Sequence, residues 1–211
     1  MHPTPRPHDL LWGLCPEQLP QEAPAWARAA LGGHVPVVVR RAAAEPGWVA
    51  VGIRGTAREQ RHATWMRVSE IRRLVSPQAV ARAGRWRRHA QPQWLALRAL
   101  SQLGPHLDTL GMAWGVTGSL GFELASGISA AHPDSDLDLS LRTPHQLPRD
   151  WARALCAVLD EAPGRIDLQL ETPYGAVALR EWASEAPRVL LKTQSGPLLI
   201  RDPWQLQQVA A

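Results

Sequence analysis

Lysine is nearly missing from this 211-residue chain: Lys192 stands alone beside 22 arginines. With abundant alanine, that imbalance reads as the bias of a GC-rich coding sequence and not as a function. Cysteine is scarce as well. Cys15 and Cys156 are too few for a disulfide framework or a zinc site, and they read as reduced thiols of a cytosolic protein. No uninterrupted apolar span approaches membrane length, and the opening MHPTPRPHDLLWGL lacks the apolar region of a signal peptide. A soluble cytoplasmic protein with no membrane partner is expected. Internal repeats and low-complexity tracts are absent too, and the 19 prolines are scattered, which argues for many short connections instead of a disordered segment. One Phe and one Tyr accompany ten Trp, an imbalance that carries no mechanistic reading.

What is present is ordinary in bulk and uneven in placement. Hydrophobic residues make up 45% and charged residues 20%, the balance of a globular protein with one large domain or two small ones. The net charge of +4 hides a polarity. Residues 1–100 hold 15 Arg against 6 acidic residues, and residues 101–211 hold 8 Lys/Arg against 13. A front half at +9 beside a back half at −5 suits an anion-binding surface next to a divalent-metal site, with a solvated arginine surface as the alternative.

The first ~80 residues read as a small α/β unit. PAWARAALGG (24–33) predicts a helix ending at Gly32-Gly33. VPVVVRRA (35–42) and WVAVGIRG (48–55) are β-branched runs separated by a turn. Arg54, Arg58 and Arg61 follow in IRGTAREQRHATW, and MRVSEIRRLVSP holds a third short element. The arginine-rich stretch from Val80 to Arg88 reads as the candidate linker or domain boundary. After it, helical and strand patterns alternate: the amphipathic WLALRALSQLGPHL, the strand MAWGV, a helix around LGFELAS, the strand LDLSL, the helix PRDWARALCAVLDE and the strand RIDLQLE. VALREWASE reads as another helix, VLLKT and PLLIR as two strands, and DPWQLQQ as a final turn or helix.

Residues 114–141, WGVTGSLGFELASGISAAHPDSDLDLSL, hold the chemistry. Residues two apart on a strand share a face, so LDLSL turns Leu137, Leu139 and Leu141 to one side and Asp136, Asp138 and Ser140 to the other. Like charges so placed repel, and a divalent cation cancels that cost. Oxygen ligands of this kind suit Mg²⁺, which takes one or two carboxylates plus substrate phosphates. Asp167, in RIDLQLE, joins the pair if its strand is the neighbour, which permits a two-metal arrangement. A solvated strand edge with chance aspartates is the bland alternative. Gly118 and Ser119 sit where a strand gives way to a helix; glycine allows close backbone approach, and a helix start offers free N–H groups to phosphate. They could equally be an N-cap. Asp134 reads as a loop residue, and His132 and His145 receive no catalytic part.

The Gly-Ser turn, the Asp-x-Asp strand and the later single Asp resemble the nucleotidyltransferase superfamily with the polymerase-beta-like core. One departure is the 16 residues between Ser119 and Asp136, longer than the compact motif, with the excess in GISAAHPDS. A closer resemblance covers nearly the whole chain. RPHDLLW, PVVVRRA, VGIRGTAREQRHA, GVTGSLGFELASG, HPDSDLDLSLR, RIDLQLETPYGAVALREWA and VLLKTQSGPLLIRDPW resemble the phosphoribosyl-dephospho-CoA transferases of malonate decarboxylase, also called malonate decarboxylase holo-acyl-carrier-protein synthases.

That resemblance implies an α+β fold, with a small N-terminal basic α/β domain over 1–80 and a polymerase-beta-like nucleotidyltransferase domain with a mixed sheet over 81–211. It implies 2′-(5″-triphosphoribosyl)-3′-dephospho-CoA as donor, a serine of the apo acyl carrier protein subunit of malonate decarboxylase as acceptor, and pyrophosphate as product. Asp136 and Asp138 match the family's metal-binding pair, and Asp167 the superfamily's third carboxylate. Catalysis and Mg²⁺ are thus expected at Asp136, Asp138 and Asp167. Substrate binding is expected at Gly118 and Ser119 for the leaving phosphates and at Arg54, Arg58 and Arg61 for either the pyrophosphate of the CoA portion or the acidic carrier protein, with a solvated loop of arginines as the alternative and Lys192 a weaker candidate. Two other readings stand beside this one: a nucleotidyltransferase using ATP or another nucleotide, and an RNA-binding module suggested by the +9 front half. Dispersed Arg and Trp count against nucleic acid.

Overall fold

β-Branched runs as short as VVV cannot bury themselves, so they need several neighbours, and the front half supplies five strands. The computed structural model describes residues 4–57 and 59–205. In chain order the front half holds β1 (Leu10–Trp12), helix α1 (Ala25–Gly32), β2 (Val37–Val39), β3 (Trp48–Arg54), β4 (Arg61–Arg67) and β5 (Arg73–Val75). The strands lie in the order β4-β3-β2-β1-β5, antiparallel at every ladder. Strand alternation sorts the side chains. Leu11, Val37, Val39, Val51, Ile53 and Met66 share a core with Ala27 and Leu31 of α1. The register partners Leu10, Val38, Gly52 and Ala63 lie on the opposite face, which looks toward the back half.

Arg54 and Arg61 are not loop neighbours. Arg54 ends β3, Arg61 begins β4, and the two are register partners across the hairpin. Arg58 lies outside the described residues.

The back half holds α2 (Pro77–Ala83), α3 (Leu95–Thr109), β6 (Trp114–Val116), α4 (Gly118–Ser126), β7 (Leu137–Arg142), α5 (Arg149–Asp160), β8 (Ile166–Glu171), β9 (Ala176–Ala178), α6 (Leu179–Ala183), β10 (Val189–Thr193) and β11 (Gly196–Ile200). Its six strands run β11-β10-β9-β8-β7-β6. Only β7 and β8 are parallel, so the sheet is mixed and the fold class is α+β, as the sequence predicts. A parallel pair needs a crossover connection, and α5 provides it. Leu97, Leu100, Leu103 and Leu107 of α3 pack with Leu137, Leu139 and Leu141 of β7 and Leu155 and Leu159 of α5 in one cluster. Each buried leucine contributes roughly 1.5–3 kcal/mol relative to exposure.

Two expectations need correction. Val80–Arg88 is not a linker but α2 followed by a 3-10 turn over Arg85–Arg88, with Val80, Ala81 and Trp86 inside the back core. Ser76 caps α2 through its Oγ, which accepts from the Ala79 N–H at 3.1 Å, and Pro77 occupies the first helical position. The arginines that suggested a linker occupy positions the core does not use. VALREWASE is likewise not one helix: Ala176 pairs with both Glu171 and Lys192, so the segment opens as β9 and becomes helical only at Leu179.

Specific contacts bind the halves. Arg41 Nη2 donates to both carboxylate oxygens of Glu171 at 2.7 Å. The Ala43 N–H donates to the Gln194 carbonyl at 3.0 Å, and Leu10 of β1 joins the back core. Among the described residues, no helix is long and apolar enough to cross a membrane.

Candidate active site

The site is built at the turn from β6 into α4. Antiparallel pairing of Val116 with Leu139 carries this turn over β7, and the Thr117 N–H donates to the Asp138 carbonyl at 2.9 Å. Gly118 takes φ +63°, and a Cβ there would fall 1.8 Å from Asp138 Oδ2. Only glycine lets the carboxylate lie against this backbone. Among the described residues no side chain caps the start of α4, so its first N–H groups remain available to an anion.

Parallel pairing of β7 with β8 sets Asp138 directly beside Asp167. Burial pushes the Asp138 carboxyl up to about 6, with the neighbouring Asp167 and Asp136 adding to the rise and Arg165 opposing it. Asp136 lies one residue ahead of β7, its Oδ2 3.7 Å from Arg165 Nε, with both side chains exposed. Gln169 Nε2 donates to Asp167 Oδ1 at 3.1 Å, and its Oε1 accepts from Lys192 Nζ at 3.3 Å. This chain fixes the amide orientation of Gln169 and holds one oxygen of Asp167.

Among the described residues, no three His, Cys, Asp or Glu side chains converge as they stand on a point that could hold an ion. The donor set nevertheless fits Mg²⁺. That ion needs only one or two carboxylates when substrate phosphates and water complete its shell. The in-register pair Asp138–Asp167 supplies two, and the raised Asp138 marks a concentration of negative charge that a cation relieves. Asp136 is close in sequence but leans toward Arg165.

Two clefts meet at Asp138. The larger, about 1040 Å³, runs between the two sheets and is lined by Arg40, Arg54 and Arg61 from the front and by Ser119, Asp136 and Arg165 from the back. The smaller, about 760 Å³, contains Asp167, Gln169 and Lys192. Arg54 is held in place by the Ala130 carbonyl at 2.8 Å and by the Phe122 ring 5.7 Å from its guanidinium carbon. Burial and the neighbouring Arg61 lower its pKa, which for a guanidinium leaves the charge intact at neutral pH. The loop carrying Ala130 is fixed by Glu123, whose Oε2 accepts from the Ala130 and Ala131 N–H groups at 2.8 Å each. Burial alone would raise the Glu123 carboxyl, but these bonds and His89 outweigh it and hold the pKa below its usual value.

The structure therefore gathers Gly118, Ser119, Asp136, Asp138, Arg54 and Arg61 around one cleft and puts Asp167 in the adjoining one. Ser119 Oγ lies 3.4 Å from Ser135 Oγ, and Asp134 also lines the larger cleft. Sequence reasoning missed Arg40, Arg165, Gln169 and Glu123. Gln169 was within reach, two residues beyond Asp167 on the same strand face; Glu123 was not, because its partners are backbone groups of a loop.

Comparison with known proteins covers nearly the whole chain. The family model described as phosphoribosyl-dephospho-CoA transferase MdcG N-terminal domain matches residues 6–77, and that of the MdcG C-terminal domain matches residues 80–203. Phosphoribosyl-dephospho-CoA transferases of Pseudomonas aeruginosa and Pseudomonas putida are each 54% identical to the chain over 207 residues; the alignments cover 98% of this chain and 97% and 98% of theirs. The one from Azotobacter vinelandii is 52% identical over 218 residues, covering both chains completely. No solved structure matches the chain. With both family domains matched in order and relatives aligned from end to end, the chain belongs to the phosphoribosyl-dephospho-CoA transferase family, and it is a transferase.

Proposed function

We propose that the enzyme moves the phosphoribosyl-dephospho-CoA group from 2′-(5″-triphosphoribosyl)-3′-dephospho-CoA to a serine of the apo acyl carrier protein subunit of malonate decarboxylase, releasing pyrophosphate. The observation that carries this reading is the placement of Asp138 beside Asp167, under a glycine turn that opens a helix toward a cleft lined by arginines. These features support the binding of a polyphosphate beside a hydroxyl.

The acceptor oxygen forms a bond to the α-phosphorus while the α–β bridging bond breaks. Pyrophosphate leaves with the electron pair, and a phosphodiester remains on serine. Asp167 takes the serine proton at Oδ2, the oxygen that Gln169 does not engage. Ser119 and the open N–H groups of α4 hold the leaving phosphates. Arg54 and Arg61 bind the remaining phosphates of the donor, their charge suited to oxyanions. Asp138 and Asp167, with Asp136 beside them, would hold Mg²⁺, which would supply the charge neutralisation that phosphoryl transfer depends on. Positioning of the reactants by the chain does the rest.

Intact-mass spectrometry of the apo carrier protein tests this. The expected result is a serine carrying one phosphoribosyl-dephospho-CoA group after incubation with enzyme, Mg²⁺ and donor. No modification with that donor, but a nucleotidyl adduct with ATP, would overturn the donor assignment.

A further inference from the structure

The two clefts are unequal in a way that separates the substrates. Asp138 and Gly118 line both, but Ser119 and Asp136 line only the larger and Asp167 only the smaller. In-line displacement requires the attacking and leaving oxygens on opposite sides of phosphorus. Two openings meeting at one carboxylate meet that requirement without either substrate passing the other.

Charge assigns the occupants. The larger cleft alone presents Arg54, Arg61 and Arg165, a setting for a polyanion, and it shares Arg40 with the smaller. The cations that line only the smaller cleft are engaged: Arg41 Nη2 donates to both oxygens of Glu171, and Lys192 is bonded to Gln169. Its walls are largely apolar, with Val38, Leu139, Ala176, Leu190 and Pro197. This wall continues outward along the β10–β11 hairpin. Leu190 is the register partner of Leu199, and Lys192 of Pro197, so these four side chains share one face. Leu190 is 37% exposed and Leu199 66%. Among the described residues the hairpin also ends the sheet, with β11 paired only to β10. An apolar patch on an edge hairpin, continuous with a cleft that leads to the proton-accepting carboxylate, is shaped for a protein and not for a polyphosphate.

We infer that the acceptor protein docks on the Leu190–Lys192–Pro197–Leu199 face of this hairpin and delivers its hydroxyl to Asp167 through the smaller cleft, while the donor enters from the larger one. The inference rests on the proposed reaction for which protein is the acceptor and for Asp167 as the group that takes its proton. Two measurements with the full chain test it. Amide hydrogen exchange is followed with excess apo carrier protein, with no donor present; protection concentrated in residues 189–200 is expected. Acceptor and donor KM are then compared for wild type and Leu199→Asp. The expected result is an acceptor KM raised at least tenfold, with donor KM and kcat unchanged. Arg61→Glu is expected to raise donor KM and to leave acceptor KM unchanged.

Protection over residues 61–67 instead, or no protection at all, overturns the docking assignment whether or not the wild type transfers the group. Transfer by the wild type with an unchanged acceptor KM in Leu199→Asp overturns the docking and leaves the reaction standing. If the wild type is a dimer that Leu199→Asp splits without affecting acceptor KM, the patch is a contact between copies of the chain and the docking falls. Protection over 189–200 in a protein that fails to use the CoA-derived donor supports the docking and removes only the donor.

Discussion

Replacing Gly118 with alanine separates the two reasons for a glycine at the turn. At φ +63° any L-residue carries a left-handed backbone cost of about 1–2 kcal/mol. Gly127, at φ +76° on the far end of α4, carries the same cost but has nothing within 4 Å of its missing Cβ. At Gly118 the Cβ would lie 1.8 Å from Asp138 Oδ2 and 2.8 Å from Asp138 Cβ, so the carboxylate must leave its place beside Asp167. Both variants should lower Tm by roughly 2–8 °C, from about 2–4 °C per kcal/mol for a chain of this size. Only Gly118→Ala should also lose turnover, by about 10²-fold or more, the cost of displacing a reacting group by about 1 Å. Thermal unfolding and pyrophosphate release on the same preparations measure both. Equal turnover in the two variants, or full turnover in Gly118→Ala, would refute the proposed cradle.

Asp138→Asn is expected to stabilise the metal-free protein at pH 8 while abolishing transfer. A carboxyl raised to about 6 is destabilising when ionised: that penalty is fully present above pH 6, fades as pH falls, and is gone below the ordinary value of 3.8. The gain should be up to about 3 kcal/mol at pH 8 and close to zero at pH 3.5, read from chemical denaturation in EDTA. The same linkage predicts that Mg²⁺ affinity weakens as pH falls through 6, which titration calorimetry with the metal alone can check. Glu171→Gln removes the charge and one of the two acceptor oxygens that engage Arg41, whose side chain is only 16% exposed, and should cost roughly 1–3 kcal/mol in urea unfolding; a loss below about 0.5 kcal/mol would mean that the pair does not join the halves. Trp86→Ala should cost about 3–5 kcal/mol, where a linker residue would cost almost nothing.

The carboxylate strands were legible because alternation alone decides their faces: LDLSL buries three leucines, and RIDLQLE repeats the pattern. That their register sets Asp138 opposite Asp167 follows from the crossover through α5, which no local signal specifies. β4 was hidden because its inward residues in RHATWMR are few, with only Thr64 and Met66 buried, so the run reads as a polar connection. Val80–Arg88 misled for a related reason. Four arginines dominate its composition, while Trp86 and a capped, proline-started turn decide its structure. Arg40 and Arg165 came into the site through sheet packing between the halves, a long-range outcome that spacing along the chain does not encode.

The most direct test of the proposed reaction is pyrophosphate release by purified enzyme with Mg²⁺, apo carrier protein and the triphosphoribosyl-dephospho-CoA donor, comparing wild type with Asp138→Asn. Release that requires both substrates, and that falls by about 10³-fold in a variant at least as stable as wild type, is the expected result. Near-wild-type release by Asp138→Asn, or release with ATP alone, would contradict it.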